Sequence, residues 1–307
     1  MEKKANFDVV IAGGGPAGLS ALQWCIDLGM AAVLIEKEAE LGGQLLRIFN
    51  PIRNYLGVEA ADGREMRDIF VRHLVGTDRV MDAAIVEADL ARKTITTADG
   101  IRYSGRAVII ATGVRRRALD IPGERKFVGR GVLSSGAKQR NEVAGKCVVI
   151  VGGGDAALEN ALVLSDMAEK VVVIHRRDVF TARQSFLDEA SRKDKIEFLT
   201  ETRVVGISGD EIVTSVELED IKTGSRRTLA ADAVLIRAGV IPNTELFRAQ
   251  IAMDRAGYIT IDGNCKTDLA NIYAIGDAAN PEAPTIAAAV GQASIAAKAI
   301  HSKTGRK

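Results

Sequence analysis

The amino-acid sequence predicts an α/β fold of two Rossmann-like dinucleotide-binding domains, each a three-layer ββα/βαβ arrangement, on three observations. The chain has 307 residues, more than one hydrophobic core usually organises. It carries an internal echo: Phe7 to Gly18 and Lys146 to Ala157 are each a short β-branched run that meets a triple glycine and then an Ala/Leu-rich stretch. A second apolar run follows each copy, Ala32 to Ile35 and Val171 to Ile174. The result is two β-α-β units.

Each further element follows from local pattern. Ala84 to Ile101 alternates loosely around Asp99-Gly100 and predicts a small hairpin insert. Ala107 to Gly113 reads as a buried strand ending in a glycine turn, and Pro122-Gly123 marks a crossover. Ala233 to Ile236 and Ile272 to Ile275 read as two more buried strands, the second ending at Gly276-Asp277. Thr285 to Ile300 reads as a helix with small residues on every face. The expected domains are 1–116 with 243–307, and 117–242 inserted between them.

Composition narrows the function. With 47% apolar and 26% charged residues the chain is globular. A formal charge of +1 gives nothing to draw it to nucleic acid or an anionic membrane. No window suits a membrane span or a signal sequence, so a cytoplasmic protein is expected. Cys25, Cys147 and Cys265 lie more than a hundred positions apart, which leaves no Cys-x-x-Cys pair and no metal knuckle.

Gly13, Gly15 and Gly18 form G-x-G-x-x-G between a predicted strand and a predicted helix, with Pro16 and Ala17 inside the motif. The first glycine permits the turn, the second lets backbone approach a pyrophosphate, and the third lets helix pack on strand. Glu36 closes the second strand, where a carboxylate accepts from ribose hydroxyls. The second copy has Gly152, Gly154 and Ala157, with Asp155 and Ala156 opening its helix, and its second strand runs into His175-Arg176-Arg177. Two guanidiniums at that strand end favour a 2′-phosphate, hence NADP(H) over NAD(H).

With these motifs, and with Gly42 to Leu45, Ala111-Thr112-Gly113, Gly129 to Val132, Gly152 to Glu159, His175 to Asp178 and Gly276-Asp277, the chain resembles the low-molecular-weight thioredoxin reductases over nearly its full length. It is also similar to the thioredoxin-reductase-like ferredoxin-NADP reductases. The resemblance implies FAD on the first cradle, NADPH on the second, and a homodimer. It places Glu36 at the adenosine ribose of FAD, Gly43, Gln44, Leu45 and Asn54 beside the flavin, Ala111, Thr112 and Gly113 along the cofactor, Asp277 after Gly276 at the ribityl chain, and Ile286 at a helix start facing the ring. Ala156 and Glu159 fall at NADPH-contact positions.

Departures from the resemblance are informative. Where those reductases carry Cys-x-x-Cys-Asp, Ser135 and Lys138 stand at the cysteine positions and Gln139 at the acid. A serine cannot carry two electrons as a disulfide. Thr181 stands at a third phosphate-binding arginine, for which Arg183 is the nearby substitute. The polar end His301 to Lys307 stands where the ferredoxin reductases continue with an aromatic tail.

The expected activity is therefore an FAD-dependent NAD(P)H oxidoreductase that passes electrons from reduced flavin directly to an external acceptor. That acceptor is ferredoxin, flavodoxin, a quinone or a small oxidant, and Ser135 and Lys138 are the candidates near the flavin. The alternatives are a ferredoxin/flavodoxin-NADP reductase specifically, a disulfide reductase whose dithiol lies elsewhere, an oxygen-reactive flavoenzyme, and a non-catalytic flavin- or nucleotide-binding regulator. No metal is expected.

Overall fold

The computed structural model describes residues 4–74 and 76–303, so Thr304 to Lys307 of the polar end lie outside the described residues. The chain divides into two compact units, residues 1–115 with 241–307 and residues 116–240.

In the first unit, strand β1 (Lys4–Ala12), helix α1 (Pro16–Asp27), strand β2 (Ala32–Glu36) and strand β3 (Arg102–Ile110) form the nucleotide-binding half. β1 lies between β2 and β3 and runs parallel to both. The order thus reverses at β1, which leaves a crevice at the carboxyl ends of the strands. Val9 and Ile11 pack into one apolar cluster and Val10 into another, all fully buried. Burial on both faces explains why β1 reads as an unbroken apolar run; each such side chain contributes about 1.5–3 kcal/mol.

The far edge of β3 is shared. Its first half pairs antiparallel with Thr94–Thr97, and its last three residues pair parallel with Ile272–Ala274. The insert is a meander rather than a single hairpin: Ile85–Asp89 pairs with Thr94–Thr97, and Asp99-Gly100 turns the latter into β3. At this turn Thr97 Oγ1 donates to Asp99 Oδ1 at 2.6 Å, and Gly100 takes a φ of +80°. The final helix, Ile286–His301, is capped by Thr285, whose side chain accepts from the Ala288 N–H at 3.1 Å.

In the second unit, strand β4 (Cys147–Val151), helix α2 (Asp155–Ser165), strand β5 (Lys170–Ile174) and strand β6 (Ala233–Ile236) repeat the plan, with β4 between β5 and β6. Val148 and Ile150 face α2, while Val149 and Val151 face a three-stranded antiparallel sheet, Thr202–Ser208, Ser215–Asp220 and Arg226–Ala230. Cys147 is half-buried at the start of β4 and packs against the cluster under the three-stranded sheet. Its N–H donates to Asp232 Oδ2 at 2.8 Å, which holds the strand start at the rim.

Candidate functional site

Both cradles are set by backbone sterics. At Gly13, φ is +111° and an added Cβ would lie 2.4 Å from the Ala111 carbonyl oxygen; at Gly18 it would lie 1.8 Å from the Gly13 carbonyl oxygen. The first and third glycines are therefore demanded by the fold. Gly15 is not: a Cβ there would meet nothing nearer than the Gly43 Cα at 4.0 Å. The second unit repeats this. Gly152 would place a Cβ 2.2 Å from the Arg237 carbonyl oxygen, whereas Gly154 would meet only Thr181 Oγ1 at 3.7 Å. The protein itself leaves room at each second glycine, and a phosphate can approach there.

Helices α1 and α2 begin at Gly15 and Gly154 with no side-chain cap. Their first N–H groups and positive dipole ends suit a pyrophosphate. α1 carries no acid in its first turn. α2 carries Asp155, whose carboxylate is occupied by the N–H and Nε of Arg183 at 2.7 and 2.8 Å.

Around the first cradle, Glu36 Oε2 accepts from the Gly14 N–H at 2.6 Å, and Oε1 accepts from the N–H groups of Lys37 and Glu38. The carboxylate is thus fixed beside the glycine turn. Pro16 and Ala17 form the first turn of α1. Gln44 Nε2 donates to the Val114 carbonyl at 2.7 Å, within the short helix Gly43–Arg47 that buries Leu45. Asn54 is exposed on the following loop. Ala111 is buried after β3, and Thr112 exchanges two bonds with Asn243, at 2.7 and 2.9 Å.

Asp277 follows Gly276 at the end of strand Ile272–Ala274, and among the described residues nothing donates to its carboxylate. Burial raises its pKa above the usual carboxylate range. A half-buried acceptor without a donor fits a polyhydroxylated chain such as the ribityl of FAD. Ile286 opens the final helix and packs near Leu45.

The second unit holds a cleft of about 680 Å³. It runs from Arg176, Arg177 and Thr181 past Gly152 to Ala156, and on to Arg116, Arg117 and Arg237. Arg176 and Arg177 are exposed just beyond β5, free of the strand ladder, as a 2′-phosphate would require. His175 is held by packing: its Nε2 lies 3.1 Å from the Val179 carbonyl and its ring stacks on Phe180. Burial lowers its pKa, so the ring is neutral at neutral pH. Arg183, the nearby residue for the arginine missing at Thr181, points elsewhere than the cleft. It sits over the Phe186 ring, is tied to Asp155, and is absent from the cleft wall.

The segment at Ser135 keeps a tight turn without sulfur. Gln139 Oε1 accepts from the Ser134 N–H, the Ser134 hydroxyl and the Ser135 N–H, at 2.8, 3.0 and 3.2 Å. Ser135 is buried and its Oγ accepts from the Lys138 N–H at 3.3 Å; the Lys138 side chain is exposed. Glu159 lies half-buried on α2.

Sequence reasoning missed Gln292, Asn243, Arg116 and Arg237. Gln292 accepts from the Gly276 N–H at 2.7 Å and so fixes the turn that carries Asp277; an amide in an otherwise Ala-rich helix was the available signal. Among the described residues there is no cluster able to hold a metal, and no helix is long and apolar enough to cross a membrane.

Residues 7–293 match the pyridine nucleotide-disulphide oxidoreductase family. A thioredoxin reductase of Treponema pallidum (strain Nichols) is 35% identical over 281 residues, 89% of each chain. A Clostridium pasteurianum protein described as a 34.2 kDa protein in rubredoxin operon is 30% identical over the whole of both chains. Among solved structures, Lactococcus lactis thioredoxin reductase in its FR conformation superposes with a TM-score of 0.85 at 31% identity, covering 96% of this chain and 98% of that one.

Proposed function

Because the chain belongs to the pyridine nucleotide-disulphide oxidoreductase family, and to its thioredoxin-reductase-like members, which use FAD and NADPH, we propose that it is an oxidoreductase that sends electrons from reduced flavin straight to an external acceptor. The observation that carries this reading is the absence of a usable dithiol. All three cysteines are free thiols. Burial pushes Cys25 up to about 12 and Cys265 up to about 11, and raises Cys147 as well. A thiol held protonated is a poor nucleophile.

When bound, FAD would supply the two-electron chemistry that links NADPH to the acceptor. The protein binds and orients. The bare N-termini of α1 and α2 would hold the two pyrophosphates, Glu36 and Asp277 would accept from ribose and ribityl hydroxyls, and Arg176 with Arg177 would hold the 2′-phosphate. Lys138 sits on the turn that would otherwise present sulfur, where a cation favours an anionic partner. The relative described by its rubredoxin operon supports a small electron-carrier protein, such as ferredoxin or flavodoxin, as the acceptor. A homodimer is the assembly this reading expects.

The test is anaerobic reduction by NADPH followed by reoxidation, with and without prior alkylation of the cysteines. Bleaching of the flavin, and reoxidation by ferredoxin or flavodoxin that alkylation leaves unchanged, is the expected result. Turnover of thioredoxin that alkylation abolishes would overturn the proposal. A yellow protein that NADPH does not bleach would make it a regulator instead.

A further inference from the structure

The cleft of the second unit has a charged feature that 2′-phosphate binding does not use. Arg116 and Arg237, far apart in sequence, both donate to one acceptor, the carbonyl of Ser134; the Arg237 bond is 3.4 Å. Arg237 also donates to the Ile236 carbonyl at 2.9 Å. Both line the cleft, as does Arg117. Of the charges that reach Arg237, Arg116 opposes it and Glu159 supports it, which leaves this corner net positive. Burial, then Arg116, pushes the Arg237 guanidinium down to about 10, so it remains a cation at neutral pH.

Topology says which part of the nucleotide meets this pair. A dinucleotide lies across the carboxyl ends of the strands, with its pyrophosphate at the central helix N-terminus. Arg176 and Arg177 follow β5 and take the adenosine end. β6 lies on the other side of β4, and Arg237 is the residue that follows it. The nicotinamide half therefore runs toward Arg237. Oxidation changes the charge of that half alone: the C–H bond breaks, hydride leaves with both electrons for the flavin, and a neutral ring becomes a pyridinium cation. The phosphates keep their charge throughout.

We infer that Arg237, with Arg116 beside it, makes the cleft discriminate between the redox states of its nucleotide, holding NADPH more tightly than NADP⁺ and so promoting release of the oxidised product. Like charges at close range in a partly buried cleft disfavour the pyridinium. The inference rests on NADPH occupying this cleft. Both arginines act on specificity and release, and neither takes part in the transfer itself.

The experiment titrates the oxidised holoenzyme with NADP⁺ and with 1,4,5,6-tetrahydro-NADP, an inert neutral analogue of NADPH, and reads the ratio of the two dissociation constants. The wild type is expected to bind the neutral analogue about tenfold more tightly, a ratio that falls to about two in Arg237→Gln. Arg116→Gln moves the ratio the same way, and Arg237→Lys retains it. An unchanged ratio in Arg237→Gln and Arg116→Gln overturns the inference, whether both ligands weaken equally, as for a phosphate contact, or neither moves, as for a brace on Ser134. If the wild type binds neither ligand, the assignment of the cleft to NADPH fails and takes the inference with it.

Discussion

Gly15 and Gly18 belong to one motif but are required for different reasons, and substitution separates them. A methyl at Gly18 would overlap the Gly13 carbonyl oxygen at 1.8 Å, so helix and turn would have to part. Gly18→Ala is expected to cost several kcal/mol, on the order of 2–4, as overpacking does when the clashing atom is backbone. Gly15→Ala would meet only the Gly43 Cα, at an unstrained 4.0 Å. Its backbone is ordinary, φ −76° and ψ −177°, and alanine is merely a weaker start for a helix, by about 1 kcal/mol or less. The two variants should divide stability from binding. Thermal denaturation of the flavin-free protein should show Gly18→Ala strongly destabilised and Gly15→Ala close to wild type, while both lose FAD on gel filtration. A Gly15→Ala protein that retains full flavin would mean that the room above Gly15 is not the cofactor's.

At the scale of elements, Ser134 to Gln139 is a turn without its chemistry. The backbone closes with the Gln139 N–H donating to the Ser135 carbonyl at 3.1 Å, and Ser135 Oγ meets the Lys138 N–H from three residues away. Sulfur atoms on positions 135 and 138 would therefore sit on one turn. The double variant Ser135→Cys/Lys138→Cys is expected to take up about four electrons per FAD in an anaerobic titration, against about two for the wild type, since a dithiol-disulfide couple adds two. Uptake of two electrons by the double variant would show that this turn cannot bring the sulfurs together.

The same scale shows what the sequence made legible. The two β-α-β units announce themselves because a parallel strand buried on both faces is a continuous apolar run that must end at a glycine turn. Helix Gly63–Arg72 went unread although Asp62 and Glu65 form a reciprocal cap: Asp62 accepts from the N–H groups of Arg64 and Glu65, and Glu65 accepts from the Ala61 N–H. Its face to the core is narrow, with Gly63 and Met66 its buried residues, so no apolar period marks it. The antiparallel sheet in residues 202–230 was hidden by a register shift between Val204 and Gly206 and by a last strand, Arg226–Ala230, that is exposed for most of its length. Motif spacing marks the cradle glycines because the turn after each strand takes a positive φ, at Gly13 and at Gly152, that favours glycine. Arg116 and Arg237 meet at the Ser134 carbonyl, 18 and 103 positions away, and no local pattern encodes such a meeting.

Over the whole molecule the charges nearly cancel, at +1, yet six arginines line the cleft of the second unit against one acid, Asp155, which Arg183 already occupies. Arg203 is committed to Glu219 and is set aside from the nucleotide. Arg176 and Arg177 are then the pair available at the adenosine end, and Thr181 contributes only a hydroxyl that donates to the Gly153 carbonyl. Charge-assisted bonds to a phosphate are worth about 1.5–3 kcal/mol each. Arg176→Ala/Arg177→Ala should therefore weaken NADPH by about a hundredfold and leave NADH within about twofold. Added salt should weaken NADPH more than NADH in the wild type, because exposed charges are screened over a Debye length of about 8 Å at physiological ionic strength. Both effects are read by stopped-flow reduction of the flavin at a series of nucleotide and salt concentrations. Equal losses for NADPH and NADH would show that the two arginines hold the shared pyrophosphate, and the 2′-phosphate would then have no arginine partner at the end of β5.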